Sequence, residues 1–162
     1  MGMLQDSIYE YQKQLKMGVI QKAYKGIMTS LSGIRSHLEK AYPDFSVSAL
    51  YFGYMDMSYF AFTPPALKDK NLKIAIVYLH EQGRFDIWLS GGNRKIQKEW
   101  VKRLKNKDLG EYALSRVEPG IDSIVEGILV SAPDFDDLTA LARQIEDGAL
   151  VFVEKMKTLT DE

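Results

Sequence analysis

The chain has 162 residues, 46% of them apolar and 27% charged, with 21 Lys and Arg against 22 Asp and Glu. These proportions define a single globular domain over residues 1–162, long enough to bury a core without covalent staples. The lack of cysteine excludes a disulfide scaffold, thiolate metal ligation and thiol catalysis, and a net charge of −1 gives no bulk attraction to nucleic acid or anionic membranes.

At the start, Met1-Gly2 ahead of Met3 reads as a remnant of an expression vector, and Gln5, Asp6 and Ser7 break any apolar run that a signal peptide would need. No segment approaches the roughly 18 apolar residues of a membrane span. A cytoplasmic location without membrane contact is therefore expected. Ile8, Tyr11 and Leu15 fall at helical spacing, with Ser7 and Glu10 as a capping box and Gly18 as C-cap. Ile20, Tyr24, Ile27, Leu31, Ile34 and Leu38 then form one stripe of a second helix, which Pro43 ends. The stripe is read as packing on this chain's own sheet or neighbouring helix, with a homodimer through the helices as the alternative.

From residue 46 the period changes. Residues 47–52 and 57–62 read as strands joined by Gly53-Tyr54-Met55-Asp56, Pro64-Pro65 stops the second, and 66–71 is a polar connection. Residues 72–80 and 84–90 are two further strands around Gln82-Gly83. A two-residue turn there sets Glu81 opposite Arg84, Leu79 opposite Asp86 and Val77 opposite Trp88. One face then carries Leu72, Ile74, Ile76, Tyr78, Phe85, Ile87 and Leu89, a core face. The other is mixed, with Lys73, Ala75, Val77, Leu79, Glu81, Arg84, Asp86, Trp88 and Ser90.

After Gly91-Gly92, Asn93 caps a helix that turns Ile96, Trp100, Val101 and Leu104 inward. Residues 112–117 fit a fifth strand, reached through that helix as a crossover. Ile121, Ile124, Val125, Ile128 and Leu129 repeat at helical spacing, and Asp134 caps a long C-terminal helix running straight through Gly148. The fold expected is α+β: a mainly antiparallel four- or five-stranded sheet flanked by an N-terminal helical hairpin, a basic helix after strand four and C-terminal helices.

Chemical motifs are sparse. The only two histidines, His37 and His80, make no metal-ligand pair, so no metal is expected, and His80 reads as a hydrogen-bonded strand-end residue. There is no Gly-x-Ser-x-Gly elbow, no phosphate loop and no nuclease-type acid with Glu-x-Lys, so no catalytic residue is assigned and no cofactor is expected. Seven basic residues lie between Arg94 and Lys107 against Glu99 alone, while residues 134–162 hold eight acids against three basic side chains. A solvated helix complementing the acidic one is the simpler account; nucleic-acid binding along 94–107 is the other. Eight aromatics crowd into residues 42–62. The phenylalanines read as core, whereas the hydroxyls of Tyr51, Tyr54 and Tyr59 favour a half-exposed rim.

The runs Tyr51-Phe52-Gly53-Tyr54-Met55-Asp56-Met57, Lys73-Ile74-Ala75-Ile76-Val77 and Arg84-Phe85-Asp86-Ile87-Trp88-Leu89-Ser90-Gly91, with Asn93 and Gln97, resemble a bacterial protein family of unknown function over most of the chain. The resemblance implies this order of elements and carries no catalytic residue. The leading expectation is a non-enzymatic domain binding a small ligand or a protein on the mixed face, through Tyr51, Tyr54, Tyr59, Arg84, Asp86, Trp88, Asn93 and Arg94. The alternative is an enzyme on a small polar or phosphorylated substrate, with Asp56, Asp86 or His80 as base and Arg84 or Arg94 as anion clamp.

Overall fold

A computed structural model describes residues 2–161, so Met1 of the expected vector remnant lies outside the described residues. The elements are α1 (Met3–Met17), α2 (Val19–Ala41), β1 (Ser46–Val47), β2 (Met57–Thr63), α3 (Pro65–Lys68), β3 (Leu72–Leu79), β4 (Arg84–Gly91), α4 (Arg94–Leu104), β5 (Ala113–Leu114), β6 (Ser123–Val130) and α5 (Leu138–Thr160). The described strands form one six-stranded sheet in the order β1-β2-β3-β4-β6-β5, with every neighbouring pair antiparallel. The architecture is the expected α+β, with one or two more strands than the sequence predicts.

The extra central strand is β6, where the spacing of Ile121, Ile124, Val125, Ile128 and Leu129 predicts a helix. Its pairing with β4 slips twice, between Phe85 and Asp86 and between Leu89 and Ser90. Each slip inserts a residue and resets the alternation, so a strand acquires helix-like apolar spacing. The expected strand at 112–117 shrinks to β5, an edge strand antiparallel to β6. The segment 66–71 is partly helical, because Pro65 starts α3, which buries Leu67.

The β3–β4 hairpin also has a longer turn than expected. Leu79, not Glu81, opposes Arg84, Val77 opposes Asp86 and Ala75 opposes Trp88. The slip is two residues, so every side chain keeps its predicted face. The first aromatic strand is broken for a local reason. Ser48 Oγ accepts the Ala61 N–H at 2.7 Å in place of a ladder carbonyl, and regular pairing ends at β1. Contact resumes as a single bridge between Tyr51 and Tyr59.

One face of the sheet builds the core. Ile74, Ile76, Tyr78, Phe85, Ile87 and Leu89 meet Leu31, Ile34 and Leu38 of α2, Trp100 and Leu104 of α4, and Ile145, Phe152 and Met156 of α5 in one cluster. Gly18, in the left-handed region, ends α1 as expected. The Ser7 capping box does not form, because α1 starts at Met3 and the Ser7 hydroxyl donates to the Met3 carbonyl within the helix. The N-cap of α5 is Asp137, which accepts from Ala140 N, while Asp134 accepts from Asp136 N in the preceding turn. No described helix is long and apolar enough to cross a membrane.

Candidate functional site

The second sheet face is hollowed where its side chains are small. Register aligns Ala61, Ala75, Trp88 and Glu126 in one row across β2, β3, β4 and β6, flanked by the row Tyr59, Val77, Asp86 and Ile128. On the other flank Lys73 pairs with Ser90 and Ser90 with Ser123. Ala75 and Ser90 therefore sit low between Tyr59, Trp88 and Lys73. The result is a cavity of about 310 Å³, lined also by Met57, Gly91, Gly92, Asn93, Arg94, Gln97 and Asp122. That volume lies at the small end of the range for ligand pockets.

The start of α4 closes one end. Asn93 Oδ1 accepts the Ile96 N–H at 2.9 Å, the predicted cap, and Gly91 leads in so tightly that a Cβ there would lie 2.9 Å from Gln97 N. Gln97 is buried and fastens α4 to the entry of β6, donating to the carbonyls of Ile121 at 2.7 Å and Ser123 at 3.0 Å. Arg94 is held in the same junction. Its guanidinium donates to Gln97 Oε1 at 2.8 Å and to the Ile121 carbonyl, and lies 3.5 Å from Asp122 Oδ1. On the wall, Tyr59 packs against Tyr51 as a tilted ring pair at 4.9 Å between centroids, and burial pushes its phenol pKa up. The Trp88 indole N–H is buried without an acceptor among the described residues.

Of the residues singled out from the sequence, Tyr59, Trp88, Asn93 and Arg94 line this cavity together. Tyr51 stands behind Tyr59. Tyr54 is 90% exposed on the loop before β2. Arg84 and Asp86 are outside the lining: Asp86, 2% exposed, takes Arg84 Nε at 2.8 Å and Nη2 at 3.3 Å, an ion pair closed on itself. Lys73, Ala75 and Ser90 belong to the predicted mixed face yet carry no motif. Asp122 arrives through the pairing of β6, which the sequence conceals, and Gln97 comes with the first turns of α4.

The three candidate bases are also placed elsewhere. Asp56 accepts the Tyr54 N–H at 2.9 Å, and that bond, with one from Met57, holds its carboxyl below the usual range. His80 Nε2 lies 2.8 Å from Ser58 Oγ, and the buried Ser58 hydroxyl donates to the Phe52 carbonyl. The ring nitrogen is then the donor to Oγ, and burial pushes the His80 pKa down. A serine whose proton is spent on a backbone carbonyl is an anchor for the 52–58 loop rather than a nucleophile. His80 is thus the hydrogen-bonded strand-end residue the sequence predicts.

The basic segment is partly engaged inside the molecule. Arg103 lies over the Trp100 ring at 4.7 Å and pairs with Glu99 at 2.7 Å. Lys107 Nζ donates at 3.0 Å to the Leu159 carbonyl, and Lys70 donates to that of Thr160, where the α5 dipole is negative. Among the described residues, no group of three His, Asp or Glu side chains is placed to hold a metal ion.

The arrangement defines a class: an α+β domain with one sheet face under helices and the other hollowed into a small cavity of mixed lining. The chain belongs to the family described as a domain of unknown function (DUF7000), whose model matches residues 4–160. No curated protein and no solved structure matches it. The match bears out the resemblance to a family of unknown function over most of the chain, without showing a bacterial origin, and assigns no role to any residue.

Proposed function

We propose that this domain is a non-enzymatic binding module for a small molecule, seated in the cavity between Tyr59, Lys73, Trp88 and the start of α4. One observation carries the reading: register gathers aromatic walls, an Ala75–Ser90 floor and a few polar groups into one cavity on the sheet face opposite the core, closed at one end by α4. Apolar walls with a few convergent polar anchors are the usual make-up of a ligand pocket. The enzymatic alternative has less support, because Asp56, Asp86 and His80 all lie outside that lining and are engaged in structural bonds. Nucleic-acid binding along 94–107 has less support as well, since Arg94, Arg103 and Lys107 are drawn into intramolecular contacts.

The test is a small-molecule screen read by amide and indole NMR shifts. Hits should perturb Tyr59, Lys73, Trp88 and Asn93. Ala75→Leu, which fills the floor, and Trp88→Ala, which removes a wall, should abolish those shifts while the protein stays folded. Hits that cluster elsewhere, or that survive Ala75→Leu unchanged, would overturn the reading. Global unfolding of Trp88→Ala would make that residue core instead of wall, and Ala75→Leu would then decide.

A further inference from the structure

We infer that the cavity takes a small monoanion with a flat apolar body, an aromatic or conjugated carboxylate, whose charge sits between Lys73 and the first turn of α4 and whose ring lies against Tyr59 and Trp88. The inference rests on reading the cavity as a ligand site and adds the chemical class of the ligand. Charge balance comes first. The lining holds two cations, Lys73 and Arg94, and one anion, Asp122. Arg94 is balanced by Asp122 and held by Gln97 and the Ile121 carbonyl, while Lys73 makes no ion pair among the described residues. One positive charge is left over, which matches a single negative charge on a ligand. Asp122, with its carboxylate 78% exposed on the rim, penalises a second one.

The donors point the same way. The Asn93 side chain takes the Ile96 N–H and the Asn93 carbonyl takes that of Gln97, so the N–H groups of Arg94 and Lys95 find no acceptor among the described residues. They add to Lys73 at the positive end of the helix dipole. The buried indole N–H of Trp88, a residue of the same lining, is a third donor without an acceptor among the described residues. Shape sets the rest. Ala75 and Ser90 are the floor, Tyr59 and Trp88 rise from neighbouring rows, and the space of about 310 Å³ suits one or two fused rings rather than a dinucleotide.

The experiment uses four probes on the full chain: 2-naphthoate, its neutral counterpart 2-naphthalenemethanol, the non-planar cyclohexanecarboxylate, and inorganic phosphate. The readout is the Trp88 indole resonance, one of two in the protein and assigned with Trp88→Phe. Naphthoate should bind at least roughly tenfold tighter than the alcohol and than cyclohexanecarboxylate, and weaken as salt rises. Lys73→Met, at an exposed strand position, should erase the preference for naphthoate over the alcohol. Equal affinity for naphthoate and alcohol, or a preference that survives Lys73→Met, overturns the charge assignment but leaves a ligand site at Trp88. Phosphate or cyclohexanecarboxylate matching naphthoate overturns the planar body. Failure of all four probes to move the Trp88 signal overturns both this inference and the reading beneath it.

Discussion

Two carboxylates show how single residues are committed to the fold. Glu146 of α5 takes the Tyr42 hydroxyl at 2.6 Å and His37 Nε2 at 2.7 Å, both from the α2 side of the core. The Tyr42 bond holds the Glu146 carboxyl below its ordinary value, and the same bond, helped by burial, pushes the Tyr42 phenol up to about 12. The folded state thus keeps the phenol proton more tightly than the unfolded chain, where it leaves near pH 10.0. The stability this contributes is complete below that pH and is lost as pH climbs to about 12. For Glu146 the sign is opposite: its share is present above the ordinary carboxylate pKa of 4.5 and is lost as pH falls through the depressed folded value. Tyr42→Phe should cost about 1 kcal/mol at neutral pH and flatten the alkaline part of the profile. Urea unfolding of both proteins across that range checks it, and parallel alkaline declines would show that the bond does not govern the profile. Asp86 is the second case, because its carboxylate is buried and Arg84, 35% exposed, is its partner. Arg84→Met should cost about 2 kcal/mol, below the 3–5 of a wholly buried pair. The double change Arg84→Met with Asp86→Val should recover part of that loss, and a double variant less stable than the single one would contradict the argument.

At the level of elements, the faces of β3 and β4 were legible because alternation survives a slip of two residues; the turn length was not, because Gly83 closes a longer loop as well as a two-residue one. β6 was illegible for a definite reason. Ile124 and Leu129 are the inserted residues at its two irregularities, and without them the strand would alternate plainly. The same strand carries Gly127, where a Cβ would lie 2.5 Å from the Tyr112 ring. Tyr112 in turn meets Phe152 of α5 edge to face at 4.8 Å, so the glycine lets the segment before β5 fold over the sheet onto the helix. Gly127→Ala should therefore destabilise by about 1–3 kcal/mol by forcing that ring aside, although alanine is the better strand residue in isolation. Denaturant midpoints measure it, with the Tyr112 ring signals as a local reporter. A neutral or stabilised variant would mean that the aromatic contact yields without cost.

Over the whole molecule, the site was half legible. Tyr59 and Trp88 follow from face and residue type and Asn93 from capping, but Ala75 and Ser90 matter by being small, which no motif records, and Asp122 reaches the cavity only because β6 is a strand. The near-zero net charge conceals a basic stretch at 94–107 and an acidic one at 134–162, whose excess of acids flanks α5, and Lys107, just past the end of α4, donates to the Leu159 carbonyl at the carboxyl end of α5. Burial is uneven along the chain too. α1 buries none of its residues, and Met3, Leu4, Tyr9, Tyr11 and Met17 are exposed, while Ile8 and Leu15 are half covered on the side of α2. A helix of 15 residues without a packed face is marginal in water, so the stability of α1 is borrowed from α2 and returns little to the core. Removing residues 1–17 should therefore lower global stability by no more than about 1 kcal/mol, while the helical signal falls and amide protection in β3 and β4 is kept. Circular dichroism with hydrogen exchange separates these outcomes. Loss of cooperative unfolding, or loss of protection in the central strands, would place α1 within the same folding unit as the sheet.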